Sequence, residues 1–181
     1  IPDGYEPVDT QSINLYLDPG LAFGTGTHAT TALCLEWLDR HDVRGQDWVD
    51  FGCGSGILAI MALLHGANRV ICVDIDDQAI EATLQNAKKN NVSAGIEIVS
   101  PDDVSKITQQ DGVLANILAA PLITLRPLFV EMLKPEGHIV LSGILADQQK
   151  AISQEYAQSF IDIECQNLED WVRVSARLPF K

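Results

Sequence analysis

Three glycines spaced one residue apart, set between a short apolar run and a helical one, constrain this chain more than any other feature. Trp48 to Phe51 is a short apolar run that ends at Gly52-Cys53-Gly54-Ser55-Gly56. Ile57 to Leu64 then repeats apolar residues at helical spacing and stops near Gly66, a natural C-cap. A buried strand turning through glycines directly into a helix opens a βαβ unit. Glycines there let the backbone turn tightly and let a ligand lie against main-chain atoms. A dinucleotide fingerprint in the G-x-G-x-x-G register needs its third small residue at position 57, which is Ile here. The register is G-x-G-x-G.

The rest of the chain continues the alternation. Strands are expected at Val70 to Val73, Ile96 to Val99, Gly112 to Ala115 and His138 to Leu141. Helices are expected over Asp77 to Asn90, Leu122 to Leu133 and Gln148 to Phe160. Two last strands, Ile161 to Cys165 and Trp171 to Arg177, are close enough in sequence to pair antiparallel. Strand and helix alternating at this spacing means right-handed crossovers and a sheet covered on both faces. The expected fold is a doubly wound α/β domain, its seven-stranded sheet mostly parallel with an antiparallel C-terminal strand. One domain covers residues 1–181. Residues 48–181 form the core sheet, and residues 1–47 add a strand (Ile13 to Leu17), a Gly/Thr loop and a helix (Ala29 to Asp39).

Asp74 ends the second strand, 22 residues after Gly52, within Val73-Asp74-Ile75-Asp76. A carboxylate at that place can accept hydrogen bonds from both hydroxyls of an adenosine ribose. Asp76 or Asp77 is better suited to cap the following helix. The register, with an acidic residue just before the first glycine, resembles motif one of the class I methyltransferases. Their donor, S-adenosyl-L-methionine, has no phosphate and carries a cationic sulfonium. A pocket with carboxylates and no phosphate-binding lysine suits it, so Gly52, Gly54, Gly56 and Asp74 are its candidate ligands.

Asn116 ends the fourth strand, which places it at the carboxyl edge of the sheet beside the cofactor. Enzymes of this class that methylate amino groups often carry Asn or Asp there, followed by two prolines and an aromatic. Ile117 and Leu118 stand where the prolines would be, which argues against an adenine or glutamine substrate. The side-chain carbonyl of Asn116 can accept an N–H from an attacking amine, so Asn116 is the candidate catalytic residue. A strand-end asparagine that caps a turn is the structural alternative.

Phe23-Gly24-Thr25-Gly26-Thr27-His28 forms a loop able to wrap closely around a ligand, and Phe23, Gly24 and Thr25 join the candidate cofactor contacts. Thr27, Thr30 and Thr31 can equally act as N-caps of the next helix, and a loop histidine such as His28 is more often structural than a base. The net charge of −13, from 25 acidic and 12 basic side chains, repels phosphate backbones and suits a basic partner. The four cysteines and four histidines show no metal-ligand spacing, so no metal site is expected, and scattered cysteines fit a reducing cytosol. No apolar run is long enough for a membrane helix.

The run Leu17-Asp18-Pro19-Gly20-Leu21-Ala22-Phe23-Gly24-Thr25-Gly26-Thr27-His28-Ala29-Thr30-Thr31 resembles the corresponding segment of the ribosomal protein L11 methyltransferase (PrmA) family, which usually has proline at the position of Ala29. The runs Asp50 to Ile60, Val73 to Asp76, Asn116 to Ala119 and Leu141 to Leu145 are similar to its other motifs, in the same order. The resemblance implies methylation of lysine side chains and the N-terminal α-amine of a basic large-subunit ribosomal protein in the cytoplasm, with S-adenosyl-L-homocysteine as product. It implies cofactor contacts at Thr31, Gly52, Asp74 and Asn116. It also implies an N-terminal substrate-recognition domain. The chain starts at Ile1 rather than at a methionine, so the expectation is a piece of a longer protein without that domain. A monomer is expected, with no direct contact to nucleic acid or membrane. The rival readings are a same-fold enzyme acting on another amine, a small molecule or nucleic acid, a module that binds the cofactor without catalysis, and a nicotinamide-dependent dehydrogenase, which Ile57 disfavours.

Overall fold

The inner strands of this chain are apolar on both faces, so each needs a helical layer above and below. The computed structural model describes residues 13–17 and 28–180. Its elements are α1 (Ala29–Arg40), β1 (Asp47–Phe51), α2 (Ile57–Leu64), β2 (Arg69–Val73), α3 (Asp77–Lys89), β3 (Ile96–Ile98), β4 (Gln110–Asn116), α4 (Ala119–Met132), β5 (Leu133–Leu145), α5 (Gln149–Tyr156), β6 (Ile161–Leu168) and β7 (Trp171–Arg177). Period-2 alternation sorts the strand side chains. Val49, Val113, Ile139 and Leu141 face Phe129 and Met132 of α4 and Tyr156 of α5. Trp48, Val70, Cys72, Leu114 and Val140 face Trp37 and Leu38 of α1 and Leu58 and Ile60 of α2.

The strands form one seven-stranded sheet in the order β3-β2-β1-β4-β5-β7-β6. β1 is parallel to both β2 and β4, β5 is parallel to β4, and β7 is antiparallel to both β5 and β6. The chain therefore leaves β1 on one side to build β2 and β3, then returns on the other side as β4. Crossovers diverge between β1 and β4, and this switch point opens a crevice outside the carboxyl ends of the strands.

The expected order of elements and the mixed sheet are both present, with local differences. Ile13 to Leu17 does not form the expected strand, since among these residues only Leu17 makes an isolated bridge. The segment is held instead by Asn90, whose Oδ1 accepts from Tyr16 N (2.8 Å) and whose Nδ2 donates to Tyr16 O (2.7 Å). Helix α4 starts three residues earlier than expected because Pro121 sits in its first turn, where no intrahelical N–H donor is needed. Strand β5 starts at Leu133, five residues before the expected His138, and Lys134-Pro135-Glu136-Gly137 lies at a register shift within it. Helix α5 ends at Tyr156, short of the expected Phe160.

Candidate active site

The glycine loop is folded back over the end of β2. Gly52 N–H and Cys53 N–H both donate to Val73 O, at 2.7 and 3.1 Å. Gly52 has φ +76°, and a Cβ there would lie 2.4 Å from Ile117 Cγ2, so only glycine lets the loop approach the end of β4 this closely. Gly54 N–H donates to Asp74 Oδ2 (2.9 Å), and Gly56 leads into α2. Two polar side chains of α3 brace the loop. Thr83 Oγ1 donates to Gly54 O (3.1 Å), and Asn86 Nδ2 donates to Ser55 O (2.9 Å). Neither was identified as a site residue from sequence. Their place on the stripe that carries Ala79, Ala82 and Ala87 is legible in the sequence, but not the loop they meet.

Asp74 stands at the tip of β2 with its carboxylate oriented by backbone. Besides Gly54, it receives Asp76 N–H on Oδ1 (3.0 Å). Asp76 itself caps α3, accepting from Gln78 N (2.9 Å), so capping does not use Asp74. An ionised carboxylate has about four acceptor positions, so Asp74 retains capacity for two hydroxyl donors. Beside it Ile75 is 92% exposed, an apolar surface at the lip of the crevice.

Beneath the loop lies Asp50, fully buried, with Oδ2 accepting from Ala59 N (3.0 Å). Burial pushes its carboxyl up to about 7, the charge of Asp74 adds to the rise, and the bond from Ala59 opposes it.

On the other side of β1, Asn116 ends β4 half-buried, and its Nδ2 donates to Thr31 Oγ1 (3.2 Å) in the first turn of α1. The cap of α1 is His28, whose Nδ1 accepts from Thr30 N–H (3.3 Å) and whose ring meets Trp171 edge-on at 5.0 Å. Of the cap candidates, Thr30 and Thr31 are instead buried inside the helix. Leu118, just past Asn116, is 70% exposed.

Gly52, Gly54 and Asp74 meet at the tips of β1 and β2, Asn116 and Thr31 meet at the tip of β4, and Ile117, next to Asn116, reaches Gly52 across the switch point, while Gly56 is buried against Thr83. Phe23, Gly24, Thr25 and Thr27 lie outside the described residues, as does the rest of the Gly/Thr loop. Among the described residues, no group of three His, Cys, Asp or Glu is placed to hold a metal ion, and no helix is long and apolar enough to cross a membrane.

A doubly wound sheet with an antiparallel β7 between β5 and β6, a glycine turn after β1 and an acidic residue at the tip of β2, defines the class I methyltransferase fold. Within that class the assignment is specific. The family described as Ribosomal protein L11 methyltransferase (PrmA) matches residues 3–179, and the chain belongs to it. The ribosomal protein L11 methyltransferase of Hahella chejuensis is 50% identical over 180 residues, covering 99% of this chain and 61% of that protein. That of Marinobacter nauticus is 49% identical over 178 residues, covering 98% of this chain and 59% of that protein. The crystal structure of ribosomal protein L11 methylase from Lactobacillus delbrueckii subsp. bulgaricus superposes with a TM-score of 0.89 at 34% identity, over 99% of this chain and 93% of that one. The chain therefore spans about three fifths of the length of the curated relatives it matches.

Proposed function

We propose that this chain is the S-adenosylmethionine-binding catalytic domain of a cytoplasmic enzyme that methylates amines of ribosomal protein L11, both lysine side chains and the N-terminal α-amine. The observation that carries the reading is the meeting of Gly52, Asp74 and Asn116 around the switch-point crevice of a chain in this family. The residues present fit the cofactor. Asp74 keeps acceptor positions for two ribose hydroxyls, Ile75 offers an apolar face to a purine, and the glycine turn admits a ligand against the backbone. Thr31 and the loop glycines complete the proposed set, and Phe23, Gly24 and Thr25 are proposed to add contacts from the preceding loop.

When bound, S-adenosylmethionine supplies an electrophilic methyl on a sulfonium. The work of the protein is positioning, which can contribute about 7–11 kcal/mol when two reactants are held in line. A lysine amine has a reference pKa of about 10.4 and must be neutral to attack. Desolvation at the mouth of the crevice lowers that value, and the Asn116 carbonyl accepts one amine N–H so that the lone pair points inward. The net charge of −13 draws a basic substrate.

Incubating the complete protein that contains this chain with labelled donor and purified L11 tests the proposal. Labelled L11 is expected, with turnover falling on Asn116→Ala far more than affinity for S-adenosylhomocysteine. A folded protein that binds the cofactor and leaves L11 unlabelled would overturn the substrate assignment.

A further inference from the structure

A helix on the outside of a sheet normally turns apolar residues inward at i, i+3, i+4 and i+7 and charged ones to water. Helix α3 keeps its charges outside, with Asp77, Glu81, Lys88 and Lys89 exposed and Ala79, Ala82 and Ala87 buried. Helix α4 does not. Its buried residues are Ala119, Leu122, Phe129 and Met132. On the opposite face Ala120, Ile123, Thr124 and Pro127 form a second i, i+3, i+4, i+7 set, exposed and uncharged. Ile123 is 40% exposed, and no charged side chain occurs between Asp111 and Arg126. Arg126 is turned aside, its Nε donating to Glu155 Oε1 of α5 at 2.7 Å.

This face runs up to the crevice. Leu118 stands at the N-cap of α4, two residues after Asn116, and is 70% exposed. Its side chain caps no backbone N–H, although Ser, Thr, Asp or Asn there would hold the helix start better. The position departs from two preferences at once, burial of leucine and capping of the helix. Local departures of that kind concentrate at functional sites. Pro127 adds a third. It has no N–H to give to Ile123 O one turn earlier, so a backbone carbonyl on the exposed face is left without its helical donor.

We propose that the outer face of α4, from Leu118 to Pro127, is a docking surface for the basic protein whose amine is methylated. The proposal rests on the reading of Asn116 as the residue that faces the amine. From Leu118 to Pro127 the helix extends about 14 Å, so a folded protein that sends a lysine to Asn116 lies over this ground. Leu118 is the anchor beside the acceptor lysine, packing on its methylene stem. Further along, the face takes the apolar stems of other lysines or arginines, and Ile123 O takes an N–H. A second copy of the chain is the poorer occupant, because a net charge of −13 repels its like.

Steady-state kinetics of the complete protein on L11 test this with two variants. Leu118→Asn and Ile123→Lys are each expected to raise KM for L11 about tenfold, a loss of the size seen at interface anchors. Both kcat and the Kd for S-adenosylhomocysteine should stay within about twofold of wild type. Ile123→Glu sets an anion rather than a cation before a basic partner, and should raise KM less than Ile123→Lys does. Since Leu118→Asn supplies a cap, its melting temperature should equal or exceed that of wild type, which separates lost docking from lost folding. Unchanged KM in both variants, or losses confined to kcat or to cofactor affinity, would overturn the proposal. So would a dimeric wild type that Ile123→Lys converts to a monomer in sedimentation, because the face would then belong to a second copy. A wild-type protein inactive on L11 would count against the proposed function instead, an outcome distinct from an active wild type whose KM ignores both substitutions.

Discussion

The amino and carboxyl ends of the parallel strands use similar residues under opposite conditions. At the amino end, Asp111 of β4 accepts from Asp47 N (2.8 Å) and from Lys134 Nζ on both oxygens (2.9 and 3.0 Å). At the carboxyl end, among the described residues, Asp74 receives two backbone donors and Asn116 makes the Thr31 contact, while Ile75 and Leu118 are largely uncovered. Glycines allow close approach at both ends, Gly112 against the Trp48 ring and Gly52 against Ile117. At the amino end the Asp111 carboxylate is satisfied by the protein itself. The other end presents acceptors and apolar surface in a form that a ligand completes.

Single substitutions can break or sharpen that contrast. The largest effect is expected from Gly52→Ala, which combines a left-handed φ with a 2.4 Å approach to Ile117. It should lower affinity for S-adenosylhomocysteine about a hundredfold, since misplacement of about an ångström has consequences of that order; calorimetry showing wild-type binding would break the contrast. Its counterpart Gly112→Ala drives a Cβ to within 2.2 Å of the buried Trp48 ring. Denaturant titration should show a loss of about 1–3 kcal/mol through overpacking, with cofactor affinity unchanged in the folded protein.

Asp50→Asn probes the buried floor of the crevice. The Asp50 carboxyl keeps its proton in the folded state up to about 7, whereas the unfolded chain releases it in the ordinary carboxylate range. The folded protein therefore loses stability as pH rises through that window, and the loss levels off above it. Relative to wild type, Asp50→Asn should gain roughly 1–2 kcal/mol between pH 4 and pH 8, and a difference independent of pH would contradict the assignment. The smallest effect is expected at Lys134→Ala. Its ion pair is still partly open to solvent, so unfolding should show a change of about 1 kcal/mol or less, with no change in binding.

Much of this architecture was legible in the chain because period and punctuation agree there. The apolar runs at β1, β2 and β4, the glycine turn and the amphipathic α3 each specify both element type and neighbour. Asp74 and Asn116 could be placed because strand ends in a parallel sheet share one edge. Local propensity misled where tertiary contacts decide. The strand was expected to begin only at His138, yet β5 already pairs with β4 at Leu133, before Pro135 and Gly137. Threonines read as caps, yet His28 takes that role because burial of Thr30 and Thr31 serves the contacts to Ser142 and Asn116. The bracing by Thr83 and Asn86 depends on which loop lies over α3, and one helix's spacing does not contain that fact.

Titration of the folded chain with S-adenosylhomocysteine, run beside NAD and repeated with Asp74→Ala, bears most directly on the central claim that the crevice holds an adenosyl methyl donor. Saturable binding of the homocysteine compound, none of the dinucleotide, and a loss of about tenfold or more on Asp74→Ala are predicted, the loss reflecting charge-assisted bonds worth about 1.5–3 kcal/mol. No binding to the wild-type chain, or equal binding to Asp74→Ala, would contradict it.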